Sequence, residues 1–313
     1  MTFNHMTPLD LETVKIIYAE TNSLKKAAQI LGCGRSKLQE FCAKNNITYV
    51  TLYNHNAFST ITNENSYWAG FLAADGCVYK NRIMSALQIR DKEQLKNLYT
   101  FIGHEREPVI NGEYAQFCFG SKQTTIDLLK NFNITPKKSL TLQPPNLITE
   151  EQKRNFIRGY SDGDGCLYWS DKNNYGNFSI VGGSYKIIEW IRNVILFNLK
   201  INVNITNKNE KYFTISYSGK NGIFVLEWLY QNSDGFRMAR KYEKFLYMKS
   251  KQQEKKLKKE TVKKEVLEMR NLYLSGLIYQ EIADKLGIKY DRVFYYLSQD
   301  KTLKKFRGPR KKS

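Results

Sequence analysis

The chain of 313 residues contains 49 Lys and Arg residues against 30 Asp and Glu residues, which gives a formal net charge of +19. Hydrophobic residues make up 42% of the chain, which excludes a disordered tail and is enough for at least two domains with their own cores. The charge favours a polyanionic partner, nucleic acid before an anionic membrane, and the three histidines argue against a zinc finger or a Ser-His-Asp triad.

Targeting and cysteine patterns predict a reducing compartment. No apolar run is long enough to span a bilayer, and the N-terminus lacks the pattern of a signal peptide, so we expect a cytoplasmic protein without a membrane partner. Five cysteines lie far apart and form no CxxC pair, which predicts reduced thiols in the core. Any catalysis would rest on carboxylates, lysines and a hard metal ion.

The first predicted elements, within residues 1–58, form a helical region. The stretch "SLKKAAQILGCGRSKLQEFCAKNNI" predicts a helix, a turn at Gly32 and a second helix that presents Arg35 and Lys37. This pattern is typical of a DNA-binding helix-turn-helix unit and equally of a plain helical hairpin.

Residues 59–145 begin with the stretch "YWAGFLAADGCVY" at 67–79, and a second copy, "FIRGYSDGDGCLY" at 156–168, begins the segment 146–250. The two copies align without gaps, and Asp164 lies 89 residues after Asp75. After each copy, alternating and helical patterns follow in the order strands, helix, strands, helix. The sequence therefore predicts one α+β unit used twice.

Small residues explain how the two copies would meet. Gly70 in the first copy and Gly159 in the second lie on helix strips without bulk, which lets the two helices pack closely against each other. Asp75 and Asp164 would then share one edge, where the helix dipoles and their mutual repulsion oppose both charges. A divalent cation would remove both penalties, whereas a single Asp-Gly would be an ordinary helix end.

The predicted elements after the second copy are basic. Residues 251–264 are rich in lysine and predict a linker or a solvated helix. Residues 265–300 predict a C-terminal helix-turn-helix with Ala283, Val293 and Leu297 in its core, and with Lys289, Tyr290 and Arg292 on its DNA-binding face. Residues 301–313 predict a basic tail.

The stretches "WAGFLAADG" and "IRGYSDGDG" resemble the two signature motifs of single-chain LAGLIDADG homing endonucleases, over roughly residues 60–250. This resemblance implies two pseudo-symmetric αββαββα repeats that form a saddle, with both sheets in the DNA major groove. It also implies that Asp75 and Asp164, with the carbonyls of Ala74 and Gly163, bind Mg²⁺ or Mn²⁺. Late in each repeat the family often supplies a lysine, for which Lys138 and Lys241 are the best positional matches.

The family resemblance also implies a monomer that cuts both strands of a long, asymmetric DNA target, an activity associated with intron homing. Gln88 and Arg90 would read base edges from the first sheet, whereas "SIVGGS" in the second half offers few such groups. Two alternatives remain. The combination of repeat and helix-turn-helix also resembles the non-catalytic WhiA-type transcription factors, and RNA-splicing maturases share the fold.

Overall fold

The structure of the protein is a computed structural model, which describes residues 9–21, 24–47, 53–104, 106–208, 211–300 and 302–303. The predicted basic tail lies outside these residues except for 302–303. No helix of the described part of the chain is long and apolar enough to cross a membrane.

The N-terminal region forms three short helices around a small core. They are α1 (Leu11–Thr21), α2 (Leu24–Ile30) and α3 (Arg35–Lys44). Gly32 makes the turn between α2 and α3 at φ +61°, a left-handed conformation that glycine adopts without strain. The core of this unit is separate from the rest of the described chain and contains Val14, Tyr18, Ala27, Ala28, Leu38 and Cys42.

The first repeat has the predicted order αββαββα. Its elements are α4 (Asn63–Asp75), β1 (Gly76–Tyr79), β2 (Arg82–Gln88), α5 (Lys92–Phe101), β3 (Val109–Asn111), β4 (Tyr114–Gly120) and α6 (Lys122–Phe132). The strands form an antiparallel sheet in the order β1-β2-β4-β3. Gly112, at φ +58°, makes the tight turn that joins β3 to β4, as its Asn-Gly sequence predicts.

The second repeat has the same order of elements and the same sheet topology. Its elements are α7 (Glu150–Asp164), β5 (Gly165–Ser170), β6 (Tyr175–Gly182), α8 (Tyr185–Leu199), β7 (Thr206–Lys208), β8 (Tyr212–Ser218) and α9 (Lys220–Leu229). The sheet order is β5-β6-β8-β7. The predicted α+β fold with two four-stranded antiparallel sheets is therefore confirmed.

The two repeats share one hydrophobic core, and α4 packs against α7 at its centre. A Cβ atom on Gly70 would overlap the backbone carbonyl of Phe156, and one on Gly159 would overlap the carbonyl of Tyr67. Only glycine permits this approach of the two backbones. The prediction that small residues mediate the contact between the two copies is confirmed.

The C-terminal part is organised around one long helix. Helix α10 (Ala239–Leu274) is followed by α11 (Tyr279–Leu286) and α12 (Tyr290–Ser298). Residues 251–264 lie inside α10, so of the two alternatives for this lysine-rich segment the structure shows the helix. A third core contains Met269, Ile282, Ala283, Val293, Leu297 and Leu303, which includes the three predicted core residues of this unit.

Candidate active site

Helices α4 and α7 begin and end in the same way. Thr62 and Thr149 cap their N-termini in reciprocal capping boxes, and each helix ends at an aspartate that is followed by glycine. Both glycines, Gly76 and Gly165, are extended, and a Cβ atom on either would press on the preceding helical turn. The chain therefore turns directly from each helix into a strand.

This geometry brings the two predicted aspartates, Asp75 and Asp164, to the same edge of the helix pair. A Cβ atom added to Gly163, the residue before Asp164, would lie 3.1 Å from Asp75 Oδ2. Burial raises the pKa of Asp75, and burial followed by repulsion from Asp75 raises the pKa of Asp164 to about 6. The pair holds its protons more tightly than free carboxyl groups do, although the charges of Lys138 and Lys241 oppose this shift.

Lys138 lies beside the end of the first motif helix. It belongs to the short 3-10 helix Lys138–Leu140, and its side chain is buried although lysine rarely is. Its Nζ donates to the carbonyl oxygen of Gly76 at 2.6 Å and lies 3.5 Å from that of Ala74. Burial lowers the pKa of this ammonium group, while Asp164 and Asp75 oppose that shift.

Lys241 has the equivalent place in the second repeat. From the first turn of α10, its Nζ donates to the carbonyl oxygens of Ser161, Gly163 and Gly165 at 2.7 to 2.9 Å. Burial lowers its pKa as well, against the attraction of nearby carboxylates, among them Asp162. Each motif helix thus ends in the same arrangement, one aspartate and one buried lysine.

The donor atoms at this edge suit a hard divalent cation. The two carboxylates and the carbonyl oxygens of Ala74 and Gly163 are oxygen ligands of the kind that Mg²⁺ prefers. Within the part of the chain that the structure describes, no group of three or more His, Cys, Asp or Glu side chains is placed to hold a metal ion. A metal ion held by these groups would therefore take its remaining ligands from water or from a bound molecule.

Asp162, two residues before Asp164, has a different role from the paired aspartates. Its carboxylate is buried and accepts hydrogen bonds from the Tyr67 hydroxyl at 2.7 Å, the Met238 amide at 2.8 Å and the Tyr230 hydroxyl at 3.3 Å. Burial raises its pKa. These bonds join α4 of the first repeat to the start of α10, a function that its place in the motif did not reveal.

The open face of the first sheet carries the predicted base-reading residue Gln88, which is exposed at the end of β2 and paired with Tyr114. Arg90, by contrast, was wrongly expected on this strand. It is exposed in a 3-10 helix, Ile89–Asp91, because the strand ends at Gln88. The prediction of core thiols is wrong for three cysteines. The exposed ones are Cys77, Cys118 and Cys166.

The open face of the second sheet is more polar than "SIVGGS" alone indicates. Asn177 and Ser179 of β6 and Ser216 and Ser218 of β8 lie on this face and are paired across the two strands. Their alternation in "YGNFSIVG" and "YFTISYS" was the available signal. This surface offers hydrogen-bonding groups without charge.

The flanking helical units place their predicted contact residues on the surface. Arg35 and Lys37 are exposed at the start of α3, and Lys289 and Tyr290 are exposed at the start of α12. Arg292 is exposed too, and it also forms a bidentate ion pair with Glu265 of α10, with N–O distances of 2.9 and 2.7 Å.

One family model matches the second repeat. Residues 151–245 match the family model described as a LAGLIDADG-like domain. Among solved structures, the chain is similar to the LAGLIDADG meganuclease I-AabMI bound to uncleaved DNA, at 13% identity over 63% of this chain and 92% of that chain, with a TM-score of 0.43. It is similar to the LAGLIDADG homing endonuclease I-GzeII in complex with its DNA target, at 13% identity over 64% and 92% of the chains and a TM-score of 0.46.

A third similar structure is full-length DUF199/WhiA from Thermatoga maritima, at 12% identity over 79% of this chain and 94% of that chain, with a TM-score of 0.40. The comparison with curated proteins found no match.

Proposed function

Because residues 151–245 form a LAGLIDADG-like domain, we propose that the chain is a metal-dependent, site-specific endonuclease that cuts both strands of duplex DNA. One observation carries the proposal. Two equivalent helix ends each bring one aspartate and one buried lysine to a shared edge. A duplex presents two antiparallel strands to such an edge, so each aspartate would serve one scissile phosphate.

Asp75 and Asp164 are the residues that would hold Mg²⁺ or Mn²⁺, together with the carbonyls of Ala74 and Gly163. When bound, the ion stabilises the charge on the attacking and leaving oxygens of phosphodiester hydrolysis. The pKa values of the two carboxyl groups are raised by burial and, for Asp164, by repulsion from Asp75, and a bound cation would oppose both effects.

In this proposal, Lys138 and Lys241 position the two aspartates. Each ammonium group binds the carbonyls at the end of its own motif helix and so fixes the backbone on both sides of the aspartate. Their positive charges also oppose the rise in carboxyl pKa and lie where a phosphate would approach. The two lysines therefore orient the acids and reduce their repulsion of the DNA.

The proposed partner is one long, asymmetric duplex bound by a monomer. The net charge of +19 suits a polyphosphate backbone. Gln88 on the first sheet and the amide and hydroxyl groups of the second sheet would contact base edges. Exposed residues of the flanking units would add phosphate contacts, and those proposed are Arg35, Lys37, Lys289, Tyr290 and Arg292. Arg90 of the first repeat would add another.

The second candidate function is a DNA-binding regulator without nuclease activity. It is favoured by the helical unit at the C-terminal end of α10, which adds a further DNA-binding candidate outside the repeats. The paired aspartates distinguish the two functions, because a protein that only binds DNA gains nothing from two half-buried acids facing a phosphate backbone.

A nicking assay tests the proposal. The target would be selected from a randomised duplex library by binding to the full chain, cloned into a supercoiled plasmid, and incubated with Mg²⁺, Mn²⁺ or EDTA. We expect the parent to cut both strands. We expect Asp75→Asn and Asp164→Asn each to retain binding and either to nick one strand or not to cut. Asp234→Asn removes a carboxylate that is 96% exposed and serves as the matched control.

Two outcomes would reject the assignment. Full double-strand cutting by either Asn variant would show that the paired aspartates are not the catalytic groups. Tight binding by the parent without cutting in either metal would favour the regulator.

A further inference from the structure

Helix α10 connects the candidate active site to the C-terminal unit without interruption. Its 36 residues contain neither glycine nor proline, and a helix of that length measures about 54 Å. Its first turn carries Lys241 of the site, and its last turns carry Met269 of the C-terminal core. Two functional parts of the chain therefore lie on one continuous element.

The contacts of α10 show the direction in which it leaves the site. Lys241 Nζ binds the carbonyl of Gly165, where β5 begins, and Tyr247 donates to Asp171, just after β5 ends. Lys255 Nζ then donates to the carbonyl of Asn174, in the turn between β5 and β6. Helix and strand run side by side from the site to this turn, and α10 continues beyond it for about 28 Å.

The far end of α10 is fixed within the C-terminal unit. Met269 is fully buried against α11 and α12, and Glu265 holds Arg292 of α12 in a bidentate ion pair. Arg270 adds an ion pair with Asp300 at 3.8 Å. Because α10 supplies part of the core of this unit, the unit cannot turn relative to α10 without losing that packing.

The part of α10 between the two cores is strongly basic, with seven lysines against two glutamates in residues 251–264. Lys255, Lys259 and Lys263 are spaced four residues apart, so they form one exposed stripe along the helix. Glu254 and Glu260 form ion pairs with Lys251 and Lys256, two lysines that do not belong to this stripe. A stripe of this kind is complementary to a phosphate backbone that runs along the helix.

We propose that α10 is a rigid spacer that extends the DNA contact outward beyond the second repeat and holds the C-terminal unit on the duplex at a fixed distance from the site. The proposal rests on the proposed function as a duplex-binding protein. Lys241 and Met269 are separated by about 42 Å along the helix, which corresponds to about 12 base pairs of duplex. The outer contact therefore belongs to one side of the target.

Hydroxyl-radical footprinting of the full chain tests this spacing. The probe is a 60-base-pair duplex, selected from a randomised library by binding to the full chain. We expect protection over the central target and a separate protected segment about 12 base pairs from its centre, on one side only. An insertion of four alanines after Glu260 lengthens the helix by about 6 Å, so it should move the outer segment outward by about two base pairs.

A hinge variant and its control test rigidity. Glu260→Gly combined with Thr261→Gly should blur or abolish the outer protection and leave the central protection unchanged, because glycine weakens a helix interior. Glu260→Ala combined with Thr261→Ala keeps the helix and should match the parent. Circular dichroism checks that all variants remain folded.

The outcomes separate this inference from the proposed function. The spacer proposal would be overturned by central protection without an outer protected segment. It would also be overturned by an outer segment that neither the insertion nor the hinge variant alters. An outer segment that moves as expected, in a chain that does not cut, would support the spacer and reject only the nuclease. A chain that protects no duplex would reject both.

Discussion

Replacing Asp164 by Asn should stabilise the metal-free protein at neutral pH. Burial and repulsion from Asp75 raise the pKa of Asp164 to about 6, against an ordinary value of 3.8 for aspartate. The folded state thus binds this proton more tightly than the unfolded state does. The stability that the group contributes is fully present below pH 3.8 and is lost as the pH rises through about 6.

The size of the effect follows from the shift. A displacement of about two pKa units corresponds to about 3 kcal/mol, at roughly 1.4 kcal/mol per unit. Asn has the shape of Asp without its charge, so Asp164→Asn should be more stable than the parent by up to about 3 kcal/mol at pH 8. At pH 4, where the folded parent is protonated at this position, the two proteins should unfold at nearly the same urea concentration.

Urea unfolding in EDTA, followed by tryptophan fluorescence at pH 4, 6 and 8, measures this difference. All four tryptophans belong to the shared core of the repeats, so the signal reports that core and not the flanking units. They are Trp68, Trp169, Trp190 and Trp228.

Added Mg²⁺ should stabilise the parent and reduce the gap, because it binds the folded carboxylates, whereas the variant should respond weakly. Asp234→Asn, at an exposed position, should match the parent throughout. A gap between Asp164→Asn and the parent that stays constant from pH 4 to pH 8 would refute the reasoning.

Two further predictions concern packing and the open sheet faces. Gly70→Ala should destabilise the repeat core by about 1–3 kcal/mol or more, since its methyl group meets the Phe156 backbone. Gly120→Ala meets only the Asn81 carbonyl oxygen, at an ordinary contact distance of 3.9 Å, and should be nearly neutral in the same unfolding assay. Bound duplex should slow the alkylation of Cys77 and Cys166 by N-ethylmaleimide at least tenfold, because both are exposed one residue beyond the glycine that follows a site aspartate. Equal alkylation rates with and without bound duplex would contradict a DNA contact on these faces.

The doubled motif predicted the fold because it encodes local features twice. The glycine strip, the Asp-Gly ends and the alternating strands are each readable within about a dozen residues, and their recurrence at one offset gives the topology of the pair. The contact between Gly70 and Phe156 shows why this worked, since a residue without a side chain in a helix interior indicates a close neighbour.

Other parts of the site depend on partners that are far away in the sequence. Asp162 receives hydrogen bonds from Tyr67 and Met238, 95 and 76 residues away, and nothing in the motif indicates either of them. Burial of Lys138 and Lys241 runs against the usual exposure of lysine, so only the family resemblance pointed to them. The ion pair between Arg292 and Glu265 likewise depends on α10 being one continuous helix. The lysine-rich composition of residues 251–264 predicts a linker as readily as a helix.

The two repeats differ where α10 begins, and this difference explains why the long helix extends from the second. Asp162 accepts a hydrogen bond from the amide of Met238, the residue before α10, whereas the first motif has Ala73 at the matching position. Arg240, in the first turn of α10, forms a bidentate ion pair with Asp91 of the first repeat at 2.8 and 2.9 Å. Lys241 is the next residue. The bonds that set the direction of α10 are therefore the same ones that hold this lysine at the candidate site.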